Sequence, residues 1–445
     1  MPLSDDLSGM PTSLPAEVIG DWNAVILGVL SHAASTGPAL NRVLTAAPDF
    51  ALGQAIRGLS CLLLARSEMV AVAREAHGAA LAAAPGTRRE AAFVQALGDW
   101  LDGHPSQAAA RMQGVLDRHP RDALAMKLIH AIHFIMGRPV AMRKSVEAVL
   151  PVWDDHPARG YLLGCHAFTL EETGEYAAAE RSGRDGIDLC PDDAWGLHAV
   201  AHVHDMTGRA RDGLDWLVGR EPSWQHCNNF RFHVWWHRAL MHLDLGEHDA
   251  VLALYDADIR ADKTDDYRDI ANAASLLSRL ELEGVQVGDR WEELAVLAEH
   301  RATDGCLAFA DLHYMLALCG GSRDAAAARL IQRMQATHSV GNEAAAVIAH
   351  PGLHVAKGIL AFANGEYSNA WAHLRAGRVD LQSVGGSHAQ RDVFDRITIE
   401  AALRGGYVDA AEGLLRDRMH RRAGVADGYA QARLMQIGTL RHQAV

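Results

Sequence analysis

Eight of the 25 histidines fall between His198 and His248, far above the chain average. Imidazole changes charge near neutral pH, accepts or donates a proton, and ligates metals, so a dense histidine segment is the first place to look for chemistry. Trp195, His198, His202 and Asp205 follow one another at steps of 3, 4 and 3, which run down one face of a helix. His198 or His202 can serve there as a general base, with Asp205 fixing its tautomer and raising its basicity. His233 and Trp236 form a second stripe, with His237 beside it, 31 to 39 residues on. His204 and His242 fall at positions that are packed in a helical repeat and read as core.

Two further constellations carry polar groups. In Gly385-Gly-Ser387-His388-Ala-Gln-Arg391-Asp392 a pair of glycines precedes a helix. Its backbone N–H groups could hold an anion or a developing oxyanion. His388 is the candidate acid or electrostatic partner, Arg391 the candidate anion holder, and Ser387 and Asp392 further ligand-binding candidates. Ser387 reads equally as a helix cap, since no G-x-S-x-G elbow is present. Asp311 and His313, in Asp311-Leu-His313-Tyr314, are the third candidate pair.

Metal chemistry has a weaker footing. Histidine pairs four apart occur at 198/202, 233/237 and 350/354, little more than chance allows, and no H-E-x-x-H is present. The spacing therefore assigns no metal ligand and no cofactor. A metal held between two facing H-x-x-x-H helices stays an alternative. No dinucleotide fingerprint or phosphate loop is present, which argues against redox and kinase chemistry.

The elements that must position these groups are helices. Apolar residues recur at helical spacing and alanine and leucine abound. Prolines at 48, 85, 120, 157 and 191 stand 37, 35, 37 and 34 residues apart. Glycines punctuate the stretches between, at Gly137, Gly174, Gly208, Gly246, Gly365 and Gly405-Gly406. Glycine supplies the left-handed residue that ends a helix, and proline cannot continue one. A period near 34 with these signals is that of the tetratricopeptide repeat. The expected fold is all-α, a helix–turn–helix superhelix that could curl around a central pocket. The expected organisation is a lead segment over 1–20, repeats over 21–225, a less regular helical region over 226–350, and repeats again over 351–445. Counting Gly208 as fifteenth in its repeat places Trp195, His198, His202 and Asp205 on the groove-lining face.

Composition narrows the partners. The chain of 445 residues is 49% hydrophobic and 22% charged, enough to bury a large core. Its formal net charge of −13 opposes phosphate backbones and anionic membranes, so neither nucleic acid nor membrane is expected as a partner. The N-terminus lacks the basic and apolar regions of a secretory signal, and no apolar run approaches the ~20 residues of a membrane span. Six scattered cysteines without a C-x-x-C pair fit a reducing cytoplasm.

Several stretches together resemble the tetratricopeptide repeat protein 38 family: HAVAHVHDMTGR (198–209), WWH (235–237), ASLLSRLELEGVQVGDRW (274–291), Asp311-Leu-His313 and GGSHAQRD (385–392). The resemblance implies a tetratricopeptide-like superhelix and points to Asp311, His313, the Gly-Ser-His segment and the His198–Asp205 helix together. It implies no settled reaction. Three functions follow as expectations. The first is a His/Trp-lined concave pocket for a small molecule, chain end or short peptide. The second is a cofactor-independent or metal-assisted hydrolase or lyase built on His198, His202, Asp205 and His388. The third is a protein-interaction scaffold. A homo-oligomer is compatible with each.

Overall fold

A computed structural model describes residues 3–337 and 341–443. The chain is all-α; among the described residues the one sheet is the short antiparallel pair Ser4–Asp5 and Pro11–Thr12. Two compact units divide it. One comprises Met1–Val200, Glu221–Arg231 and Ser339–Ala344; the other comprises Ala201–Arg220, Phe232–His338 and Ala345–Val445. The chain passes from the first to the second inside the helix Ala194–Met206.

In the first unit helices pair in sequence: Ala51–Leu63 with Ser67–Ala82, Arg88–Leu101 with Pro105–Arg118, and Arg159–Glu171 with Tyr176–Leu189. The proline series marks the starts of these repeats. Pro85, Pro120 and Pro191 each stand two residues before a capping side chain, Thr87, Asp122 or Asp193. These accept from the N–H groups of Glu90, Ala125 and Gly196, satisfying donors that a helix start leaves open. The repeat frame holds in detail: counting Gly208 as fifteenth makes residue 194 the first, and the helix begins at Ala194. Gly208 is left-handed (φ +67°), and a Cβ there would meet Val425 Cγ1 at 2.4 Å. At the Gly405-Gly406 turn it is Gly406 that takes the left-handed conformation.

A buried ion triad fastens the N-terminal segment to the first unit. Arg89 Nε lies 2.6 Å from Asp122 and its other arm lies 3.0 Å from Asp6, with all three side chains almost inaccessible. A buried guanidinium is tolerable here because two carboxylates share its donors.

The second unit pairs Ala308–Gly320 with Asp324–Ala336, Leu353–Ala363 with Tyr367–Arg378, and His388–Arg404 with Val408–Arg421. Tyr267–Leu282 and Arg290–Arg301 also pair, across a longer turn, after a π-helical stretch at Tyr255–Ile259. Within the region 226–350 expected to be less regular, the chain forms helical pairs with irregular connections. The expectation about apolar runs needs correction: Glu343–Ala363, 21 residues, is long and apolar enough to cross a membrane by length and composition. Half of its apolar window is buried, and its backbone leaves helical geometry at His350, just before Pro351.

Candidate functional site

Trp195 and His198 belong to the first unit, where they sit in an aromatic cluster. The Trp195 ring lies 4.6 Å from Phe168 and 4.6 Å from His198, with His32 stacked on it and His130 edge-on. The Lys127 ammonium sits 5.0 Å from its centroid, a buried cation–π contact. The His198 Nδ1–H donates to the Trp195 carbonyl, one turn back. Both residues are nearly inaccessible. The groove-facing placement expected of Trp195 and His198 is therefore replaced by close ring packing. Large rings remove most apolar surface from water when they meet one another, and two neighbouring helices supply Phe168 and His130, and the turn after Ile19–Leu30 supplies His32, for that purpose.

The second unit gathers the other histidines. His202 comes from Ala194–Met206, His233 and His237 from Phe230–Asp244, and Asn272 from Tyr267–Leu282. His233 and His237 are one helical turn apart, so their rings share a face. Their Nε2 atoms are 3.1 Å apart, and the His202 ring centroid lies 4.2 Å from that of His237. One ring nitrogen from each of the three falls within 4.8 Å of the others. His202 and His237 are fully buried, whereas His233 keeps partial exposure. Trp236 stacks on His233 with centroids 5.2 Å apart. The His233 Nδ1 lies 2.9 Å from Asn272 Oδ1, an oxygen that can only accept, so Nδ1 carries the proton and Nε2 presents a lone pair.

Burial disfavours the charged forms of His202 and His233. It pushes His233 down to about 4, with the Asn272 hydrogen bond opposing and nearby Arg268 adding to the fall. It holds His202 well below the usual imidazole range, helped by the charges of His233 and His388. His388, from the Gly-Ser-His segment, belongs to the same unit as His202.

The remaining candidates have structural partners. Ser387 closes a capping box: its hydroxyl accepts from the Gln390 N–H, and the Gln390 side chain accepts from the Ser387 N–H. Both groups a nucleophile and an oxyanion hole would need are engaged at the helix start. Gly386 is left-handed, and a Cβ there would strike Phe309 at 2.4 Å, so the glycine serves packing. The Arg391 guanidinium donates to the carbonyls of Gly385 and Gly386 and fastens the loop. Asp392 accepts from Arg396 and Arg418. Asp205 is not the orienter of an imidazole: Arg422 donates to its carboxylate at 3.0 Å. Asp205 and Asp392 border a small cavity with Arg279, Arg422 and Asp427, with room for about one water. Asp311 pairs with Arg333 at 2.5 Å, and burial still raises it to about 6. His313 sits two residues on, roughly 200° around the helix. Its Nδ1–H donates to the Phe309 carbonyl, and burial pushes it down to about 3.

The sequence reading missed Asn272. A lone amide inside Ala271-Asn272-Ala273-Ala274 is the signal that could have found it, because a buried polar group in such a run needs a partner.

No family model matches the sequence. Among solved structures, the human IFIT1 dimer with PPP-AAAA is similar at 12% identity and TM-score 0.44, covering 94% of this chain and 94% of that one. Yeast Tom70 is similar at 13% identity and TM-score 0.35, over 95% of this chain and 88% of that chain. The P58(IPK) TPR domain is similar at 14% identity and TM-score 0.21, over 77% and 88%.

Proposed function

We propose that this helical-repeat protein binds a small ligand on the imidazoles of His202, His233 and His237, with Trp236 beside them. One observation carries the reading: three ring nitrogens converge within 4.8 Å in a buried place where apolar side chains would pack at lower cost.

The acid–base hydrolase or lyase reading is second to this. An effective general base has its pKa near the working pH. His202 and His233 are held below that by burial, and Asp205 is occupied by Arg422. Neutral lone pairs suit holding a ligand better than taking a proton. A scaffold that docks a peptide or another protein is compatible with the repeat fold but gives no role to the imidazoles. Kinship with the tetratricopeptide repeat protein 38 family rests on the stretches 198–209, 235–237, 274–291 and 385–392. A cytoplasmic location is part of the proposal, supported by six free cysteines.

A site kept for a ligand is expected to cost stability when empty. His237→Leu should therefore raise the thermal midpoint of the ligand-free protein while abolishing uptake of its ligand. A lowered midpoint would assign His237 to packing and leave the scaffold reading in place.

A further inference from the structure

We infer that His202, His233 and His237 form a three-imidazole site for a divalent transition metal of the zinc or cobalt kind. The inference rests on the ligand-site reading above and names the ligand. Geometry comes first. Zinc–imidazole bonds of roughly 2.0–2.1 Å at tetrahedral angles put two ligand nitrogens about 3.3 Å apart. The Nε2 atoms of His233 and His237 are 3.1 Å apart, and the nearest nitrogen of His202 lies within 4.8 Å of both. Two ligands at i and i+4 on one helix, and a third from the neighbouring helix, is an arrangement helical proteins use to bring imidazoles to one point.

The surroundings fit as well. A ligating histidine generally donates its other ring N–H to an oxygen that fixes the ring and its tautomer. Asn272 Oδ1 takes that part for His233, leaving Nε2 aimed at His237. Trp236 stacks on the His233 ring and restricts its rotation. A bound ion would replace the proton now shared by the two Nε2 atoms, and His237 would carry its N–H on Nδ1 instead. Three imidazole nitrogen ligands suit zinc, cobalt, nickel or copper over magnesium or calcium.

The test uses the full chain, freed of metal by dialysis against a chelator. Zn²⁺ is titrated by calorimetry and Co²⁺ by its visible absorption. The expected result is one ion per chain at submicromolar Kd, with the intense bands of four-coordinate Co²⁺. His233→Ala and His237→Ala should lose the bands. Those variants could also unfold, so Asn272→Ala provides the second arm: it should stay folded by circular dichroism and bind Zn²⁺ about 10–100-fold more weakly. Absence of stoichiometric binding to the wild-type chain overturns the inference. So does Zn²⁺ binding by folded His237→Ala or Asn272→Ala at wild-type affinity. If Zn²⁺ does not bind but His237→Leu still raises the thermal midpoint, the metal is wrong and the ligand site stands. If His237→Leu lowers the midpoint, the site reading falls too.

Discussion

Asn272 Oδ1 accepts the Nδ1–H of His233 at 2.9 Å, joining two helices 39 residues apart in sequence. The bond selects one tautomer of a ring whose other nitrogen faces His237. Replacing Asn272 by leucine leaves the imidazole N–H without that acceptor. The expected cost is about 1–3 kcal/mol, the usual penalty for stranding a buried polar group. Nitrogen-15 spectra of the histidine rings should show His233 as the Nδ1–H form in the wild-type protein and as a mixture in Asn272→Leu. An unchanged tautomer would mean that Asn272 does not control it.

Ser387 offers a sharp contrast between a chemical and a structural role. Its hydroxyl accepts from the Gln390 N–H in a capping box. Ser387→Ala should lower stability by about 1 kcal/mol, typical of a lost N-cap, and leave Zn²⁺ affinity as it was. A variant of unchanged stability but impaired ligand uptake would return Ser387 to the site.

These residues also show what a sequence can and cannot disclose. The proline and glycine punctuation is local chemistry, so it located the repeat starts, and the frame that begins a repeat at residue 194 coincides with the helix start at Ala194. The i, i+4 spacing of His233 and His237 is likewise local. Their meeting with His202 and Asn272 depends on which helices pack together, and only the fold decides that. Asp205 illustrates the limit from the other side. Its spacing from His202 suited an orienting carboxylate, but Arg422, 217 residues away, takes it. Long-range ion pairing leaves no periodic trace. The burial that disfavours the charged forms of His202 and His233 is equally invisible in a list of residues, because histidine reads as polar whether or not a core surrounds it.

Asp193 should make the first unit less stable as pH rises. Burial raises its folded-state value to about 7, with Lys127 only partly offsetting that. The unfolded carboxyl titrates near 3.9. Between about pH 4 and pH 7 the unfolded chain therefore gives up a proton that the folded chain keeps. Stability falls with rising pH across that window, by up to about 1.4 kcal/mol per unit, and levels off above it. Asparagine can still accept from the Gly196 N–H that Asp193 caps. Asp193→Asn should accordingly flatten the slope in urea unfolding curves and match or exceed wild-type stability at pH 8. A slope that persists in Asp193→Asn would place its source elsewhere.

The ion network around Arg418 should act with the opposite sign. Arg418 is fully buried and donates to both Asp392 and Asp427, at 2.5 and 2.6 Å in the closest contacts. Arg396 also reaches Asp392, at 2.8 Å. Although burial alone would raise both carboxyls, the guanidinium charges outweigh it and hold them well below the ordinary carboxylate range. A depressed folded-state value means that this stabilisation is complete above the unfolded value near 3.9 and is lost as pH falls through the folded values below it. Urea unfolding between pH 6 and pH 2 should show that loss for the wild-type chain. Arg418→Met removes the closest guanidinium from two carboxylates that keep only Arg396 and Arg422, and should cost about 3–5 kcal/mol at neutral pH. Adding Asp392→Asn to Arg418→Met removes one of the undercompensated charges, so the double variant should recover part of the loss. A double variant less stable than Arg418→Met alone would show that Asp392 contributes through its hydrogen bonds to Arg396 rather than through the charge it shares with Arg418.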